Sequence, residues 1–416
     1  MNQLQKNVVF PALVLLAMFF SVSVDAVSGG TFVGAKKINP TTVELLFSDE
    51  QRMTLDFYGE NIFRIFQDNS GGILRDPEAQ PVAKILVENP RKAVSGLSLS
   101  EDDNFVSISS EKIKIQLDKN ASLLKVINLR TNAVVLEETE PVLFEKEKVT
   151  ITLKENPQEY FYGGGVQNGR FSHKGNVIAI ENQNSWTSGG VASPNPFYWS
   201  SNGYAMMWHT FKKGKYDFGA KEKGVVKLYH ETDYIDVFIM VDDGAAALLS
   251  DFYQLTGNPV LLPKFGFYQG HLNAYNRDYW KEDNEGILFE DGKRYKESQK
   301  DNGGTKESLN GEKDNYQFSA RAVIDRYKKQ DMPLGWLLPN DGYGAGYGQT
   351  ETLDGNIQNL KSLAEYAHQN GVEIGLWTQS DLHPKPEISA LLQRDIVKEV
   401  RDAGVRVLKT DVAWVG

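Results

Sequence analysis

Over residues 27–243, apolar side chains recur at every second position in short runs broken by Gly, Asn, Asp and Pro. Val106-Ser107-Ile108, Ile113-Lys114-Ile115-Gln116-Leu117, Val149-Thr150-Ile151-Thr152-Leu153 and Tyr234-Ile235-Asp236-Val237-Phe238-Ile239 are of this kind. Period-two alternation sends successive side chains to opposite faces of a strand, so this half predicts an antiparallel β-sandwich of many strands. One Ala-rich stretch, 244–255, has helical spacing instead and reads as a helix closing the domain.

After Pro259 the pattern changes. Apolar strands are expected at 265–271, 333–341, 372–377 and 405–411, and amphipathic helices at 318–329, 356–369 and 387–403. In the second helix Ile357, Leu360, Leu363, Ala364 and Ala367 share one face. The order βαβαβαβ predicts parallel strands joined by helical crossovers. Between the first strand and its helix, residues 281–315 hold 10 acidic and 7 basic side chains among 35 residues. So charged a segment cannot be core; a solvated loop at the carboxyl end of the strand is expected, either as surface decoration or as a lid or substrate rim.

The first 26 residues read differently again. Lys6 precedes the apolar run VVFPALVLLAMFFSVSV, and Val24-Asp25-Ala26 follows as a small-x-small exit. This is the pattern of a secretory signal peptide cleaved after Ala26; Pro11 and the short apolar length argue against an uncleaved membrane anchor. The expected location is periplasmic or secreted, with no stable membrane anchor after cleavage.

Composition narrows the chemistry. The chain has 416 residues, 41% hydrophobic and 24% charged, enough to bury a sizeable core. Lys+Arg of 45 against Asp+Glu of 55 gives a net charge of −10, opposite to the basic footprint of a nucleic-acid binder, so no nucleic-acid partner is expected. The absence of cysteine removes disulfides, thiolate zinc sites, thiol nucleophiles and iron–sulfur clusters. The six histidines are scattered without metal-ligand spacing, residues 301–315 do not fit an EF-hand, and no phosphate-binding glycine loop is present. Neither a metal nor a cofactor is expected.

Candidate catalytic chemistry gathers at the strand ends. In 405–411 strand alternation would place Val405, Val407, Lys409 and Asp411 on one face. In a barrel that face is the interior, with Lys409 and Asp411 at the mouth where barrel enzymes place catalytic groups. An ammonium beside a carboxylate favours its ionised form, which suits a nucleophile; the plainer alternative is that Asp411 begins the next loop. The second strand runs into LPNDGYGAGYG, where Asp341, Tyr343 and Tyr347 stand among glycines, either as a sugar-facing loop or as a surface turn. The third ends in Trp377-Thr378-Gln379 and the first in Gln269-Gly270-His271. Four such ends together suggest a binding mouth. In the first half, the glycines of 162–167 read as a tight turn, or as a loop reaching an active-site rim. The aromatic-rich 193–209 reads as sandwich core with a Pro-bounded turn.

FYGGGVQ, PFYWSSNGYAMMW, DFYQLTGNPVLLPKFGFYQGH and a strand ending KTDVAW, in that order, resemble glycoside hydrolase family 31, the retaining α-glucosidase family. The stretch YQLTGNPVLLPKFGFYQ, 253–269, is the most specific part and matches the link between the family's sandwich and barrel. LNAYNRDYW, LPNDGYGAGYG, WTQSDLHP and KTDVAWVG are most similar to a branch acting on α-glucans, including cyclic alternan-type oligosaccharides. The resemblance implies a galactose-mutarotase-like β-sandwich at 27–258 and the first half of a (β/α)8 TIM barrel at 259–416, truncated after the fourth strand. A whole barrel needs about 250 residues, more than remain here after the sandwich.

The implied activity is retaining, exo-acting hydrolysis or transglycosylation of α-glycosidic bonds in oligosaccharides. Asp411 would be the nucleophile, Asp341 and Lys409 would hold sugar hydroxyls, and Trp377, Tyr343, Gln379 and His271 would line the substrate. The acid/base is expected on a later strand, outside these residues, which leaves the activity of the chain alone open. Two features depart from the family pattern: Lys409 precedes the nucleophile with no Glu after it, and Trp336 to Asp341 replaces the usual W-x-D-x-D. K-x-D and N-D-G-Y are also similar to motifs of α-galactosidases, so α-galactosidase or α-N-acetylgalactosaminidase is the alternative. A carbohydrate-binding protein without turnover is a further one.

Overall fold

The computed structural model describes residues 27–28, 30–68, 71–80, 82–273, 278–298, 300–312, 315–339, 353–378 and 396–410. The chain divides into two compact units, Met1–Pro259 and Val260–Gly416.

The first unit is a β-sandwich. Among the described residues its eight-stranded sheet runs in the order Phe161–Gln167, Val191–Ser200, Tyr204–Trp208, Tyr234–Val241, Ile62–Asp68, Arg52–Gly59, Thr42–Phe47, Phe32–Asn39. The facing sheet has ten strands and is centred on Lys148–Lys154 and Ala133–Glu145. Leu45, Leu55 and Ile65 from the first sheet meet Ile108, Ile115 and Leu228 from the second in one buried cluster. Strands with a single buried face, such as Ile113–Asp118, keep the strict alternation. Ile62–Asp68 is instead buried throughout: the helix Gly244–Thr256 packs Leu248 and Leu255 against Ile62, Phe238 and Met240, and further along Arg75 lies over Phe66 and its carbonyl accepts from Arg64. A sheet buried on both sides reads as a continuous rather than an alternating apolar run.

FYGGGVQ is a strand, Phe161–Gln167, and not the tight turn expected. Gly163, Gly164 and Gly165 all have positive φ, and the pairing register with Val191–Ser200 shifts between Gly163 and Gly165. A Cβ on Gly165 would lie 2.1 Å from the Ser193 carbonyl oxygen, so only glycine lets the bulged strands approach so closely. The aromatic stretch after it forms two paired strands, and Tyr198, Tyr204, Met206 and Trp208 enter the core.

The second unit carries a parallel sheet in the order Gln269–Asn273, Leu334–Pro339, Glu373–Thr378, Val405–Thr410. The helices Ala320–Lys329, Leu353–Gln369 and Ile396–Ala403 alternate with these strands, and part of the last expected helix lies outside the described residues. Ser319 caps the first helix, its hydroxyl accepting from the Ala322 N–H at 3.1 Å. Two expectations are corrected. Residues 265–267 belong to a 3-10 turn, Lys264–Phe267, that precedes the first strand. The charged segment 281–315 is not simply a loop: Tyr279–Leu288, Arg294–Ser298 and Thr305–Lys306 form a three-stranded antiparallel sheet. The few apolar residues within and beside the segment suffice, because Trp280, Phe289, Tyr295 and Phe318 make an aromatic cluster beneath the charged face, with Trp280 stacked on Phe318 at 5.6 Å.

Candidate active site

The parallel register fixes what the strand ends can bring together. Asn273 pairs with Pro339, Trp377 with Lys409 and Thr378 with Thr410. The strands therefore end side by side at one edge of the sheet, where parallel βα sheets place their ligands. On the helix-covered face Leu337, Ile374, Leu376 and Val405 pack with Leu360, Leu363 and Ala364 of the helix Leu353–Gln369. On the opposite face Gly375 lies between Leu338 and Val407: a Cβ there would come within 2.9 Å of the Leu338 side chain and 3.0 Å of Val407.

A register shift between Ile374 and Gly375 alters the face assignment made for the last strand. Val405 joins the helix-side core, whereas Val407 stands beside Gly375 on the other side. Lys409, two residues on, keeps the side of Val407 and is half-buried. Val405 and Lys409 are therefore not on one face, because the irregularity separates them.

Of the other candidate residues, Asp411, Asp341, Tyr343 and Gln379 lie outside the described residues, as does the Trp377 side chain. His271 is described and is not brought to the face of Lys409. Its strand partner is Leu337 of the helix-side core, and its Nδ1 lies 3.3 Å from the Tyr327 hydroxyl on the helix Ala320–Lys329. Alternation decides this: a strand-end position points inward or outward according to parity. Burial, with the Arg326 charge nearby, lowers the His271 pKa and keeps its ring neutral.

The structure adds groups that no pattern in the chain marks. Trp280 donates its indole N–H to Glu307 at 2.7 Å, both buried. In the sandwich Arg64 makes two 2.7 Å contacts with Asp236, which also faces His209 Nδ1 at 3.0 Å. Asp236 sits in an alternating run and Arg64 in an apolar one, and only their pairing across adjacent strands (Phe238 opposite Arg64, Asp236 opposite Phe66) explains their burial. Adjacent charges of opposite sign within apolar strands are the one signal by which such a pair is detectable.

Residues 52–217 match the glycosyl hydrolase 31 N-terminal galactose mutarotase-like domain. The sandwich of the first unit is thus similar to the galactose mutarotase-like domain that precedes the catalytic part of glycosyl hydrolase 31 proteins. More narrowly, the matched domain and the relatives support reading the chain as similar to an N-terminal portion of glycoside hydrolase family 31. An α-xylosidase, XylQ, of Lactiplantibacillus pentosus is 23% identical over 197 residues, 45% of this chain and 25% of that protein. An α-xylosidase of Emericella nidulans is 26% identical over 140 residues, 33% of this chain and 18% of that protein. In fold, the chain is similar to a Flavobacterium johnsoniae GH31 dextranase complexed with isomaltotriose, with TM-score 0.69, 14% identity and coverage of 93% of this chain and 48% of the other. The cycloalternan-forming enzyme from Listeria monocytogenes, in complex with a pentasaccharide, gives TM-score 0.61, 13% identity and coverage of 85% and 32%. The chain thus spans about a quarter or less of the curated relatives it matches and about half of the dextranase.

Proposed function

We propose that this protein is a retaining, exo-acting glycoside hydrolase, or transglycosylase, for α-linked glucose oligosaccharides. On this reading the parallel sheet supplies the first four strands of a (β/α)8 barrel. Asp411 attacks the anomeric carbon to form a glycosyl–enzyme ester while a second carboxyl group, about 5–5.5 Å away, protonates the departing oxygen; water then releases the sugar. Lys409 and Asp341 hold sugar hydroxyls, Trp377 and Tyr343 offer apolar faces, and Gln379 lies at the adjacent strand end. Lys409 on the strand leading to Asp411 favours the ionised carboxylate that a nucleophile requires.

The observation that most supports the reading is the parallel register. Thr378 and Thr410 are paired, so residues 379 and 411 directly follow neighbouring strands at one edge of the sheet. The α-xylosidases among the sequence relatives favour a second reading, in which the substrate is an α-xyloside. Turnover of p-nitrophenyl α-glucoside, α-xyloside and α-galactoside separates the sugars. In the full-length enzyme that also carries the acid/base, Asp411→Asn is expected to lower kcat by about a thousandfold or more on whichever is the substrate; unchanged turnover would remove Asp411 from the nucleophile's role. Residues 1–26 are proposed to direct the protein to the periplasm or beyond.

A further inference from the structure

A cavity of about 290 Å³ lies in the sandwich, on the face of the eight-stranded sheet where the helix Gly244–Thr256 packs. Residues 76–91 roof it, with no helix or strand among the described ones. The roof is fastened at both ends. Arg64 donates to the Arg75 carbonyl at 2.7 Å and meets Asp76 at 3.1 Å, while Arg91 pairs with Asp56 and lies 3.9 Å over the Tyr58 ring. The helix holds the roof as well: the Val87 N–H donates to the Leu255 carbonyl at 2.9 Å, and Gln254 donates to the Pro90 carbonyl at 2.9 Å. Irregular connections of this length in a compact domain usually serve a function.

His209 stands in the cavity wall and is only 2% exposed. Its Nδ1 lies 3.0 Å from Asp236 and 4.0 Å from Asp76. Holding the Nδ1 proton against Asp236 leaves the neutral ring with a lone pair at Nε2. That nitrogen has no hydrogen-bond partner among the described residues and, unlike the His271 Nε2, is not sealed from the cavity it lines. A buried acceptor left unpaired is costly, and an O–H group in the cavity relieves the cost.

The surroundings select what donates. Asp76 and Asp236 beside the ring disfavour an anion, and the Arg64 and Arg91 guanidiniums disfavour a cation. Ile85, Leu86 and Val87 of the roof add apolar contact. A small neutral molecule with hydroxyl donors and a C–H face fits both parts of the lining.

We infer that the sandwich carries a monosaccharide-binding site of its own, in which a sugar hydroxyl donates to His209 Nε2 beneath the roof 76–91. That the hydroxylated ligand is a sugar rests on the function proposed above. The site holds a sugar unit and takes no part in bond cleavage.

Proton–nitrogen correlation spectra of the protein labelled in its histidine rings test this, since the chain has only six histidines. Titration with D-glucose, D-xylose or D-galactose is expected to move one Nε2 resonance. That resonance is absent from His209→Asn, whose side-chain amide can still donate to Asp236. Ala83→Phe adds bulk at an exposed roof position beside the cavity, and is expected to weaken the titration about tenfold with the sandwich intact. A His209 resonance that no sugar moves would mean that the cavity holds water alone and would overturn the inference, as would a parent-like titration of Ala83→Phe. A His209 shift in a full-length enzyme that turns over no α-linked substrate would overturn the proposed activity and leave the site standing. Turnover without that shift would overturn the site alone.

Discussion

Glu138 lies in the strand Ala133–Glu145 where the pairing register breaks, and its carboxylate accepts from the Leu124 N–H at 2.8 Å. Burial disfavours the charged form and pushes its pKa up to about 8, with the hydrogen bond offsetting only part of the effect. In the unfolded chain the group releases its proton near the ordinary value of 4.5. Between these two values the folded state binds a proton that the unfolded state does not, so stability falls as pH rises from about 4.5 to about 8. Glu138→Gln removes this dependence. Thermal melts at pH 5, 7 and 8.5 are expected to show the variant gaining on the parent as pH rises, by a few kcal/mol at most (about 1.4 kcal/mol per pKa unit); a pH-independent difference would count against burial of the charge. Arg64 and Asp236 present the opposite case, in which two buried charges satisfy each other. Asp236→Ala leaves the buried guanidinium only the more exposed Asp76, at 3.1 Å, and the Arg75 carbonyl as partners, and is expected to cost about 3 kcal/mol in urea unfolding.

At the scale of elements, the bulged strand Phe161–Gln167 makes a similar demand on backbone rather than charge. Gly165→Ala would force a Cβ into the Ser193 carbonyl at a φ of 78°, a backbone strain of about 1–3 kcal/mol before the clash is counted. A drop in Tm with the far-UV spectrum retained is the expected result. Such strands also show what the sequence makes legible. Ile113–Asp118 and Thr42–Phe47 alternate in the structure and in the chain, because one face meets the core and the other meets water. The helix Leu353–Gln369 buries Ile357, Leu360, Leu363, Ala364 and Ala367, the stripe its periodicity predicts. FYGGGVQ misleads, since three glycines mark a turn as readily as a bulge and only the neighbouring strand decides. The insertion misleads for a different reason: its charge is real, but Trp280 and Phe318, at or beyond its ends, supply the core that a count of charges misses. At the candidate site the register shift at Ile374–Gly375 is invisible to alternation, which is why Val405 and Lys409 appear to share a face, and the parity of His271 depends on where its strand begins.

For the whole molecule, the amino-terminal segment and the sandwich meet at a single peptide bond. The proposed signal ends at Ala26, and the next two residues already pair in the sheet, Val27 with Phe144 and Ser28 with Leu143. Cleavage there would leave a new terminus fixed by strand pairing rather than a free tail, and termini held in a sheet resist trimming. An apolar leader left in place would have to leave the sheet edge directly from a paired residue. Among the described residues no helix is long and apolar enough to cross a membrane. Expression in a secreting bacterium is therefore expected to yield a chain whose amino-terminal sequence starts at Val27, recovered by osmotic shock or from the medium without detergent. A product that keeps residues 1–26 and pellets with membranes would make the segment an anchor instead. A start several residues after Val27 would show that the Val27–Ser28 pairing does not hold the terminus.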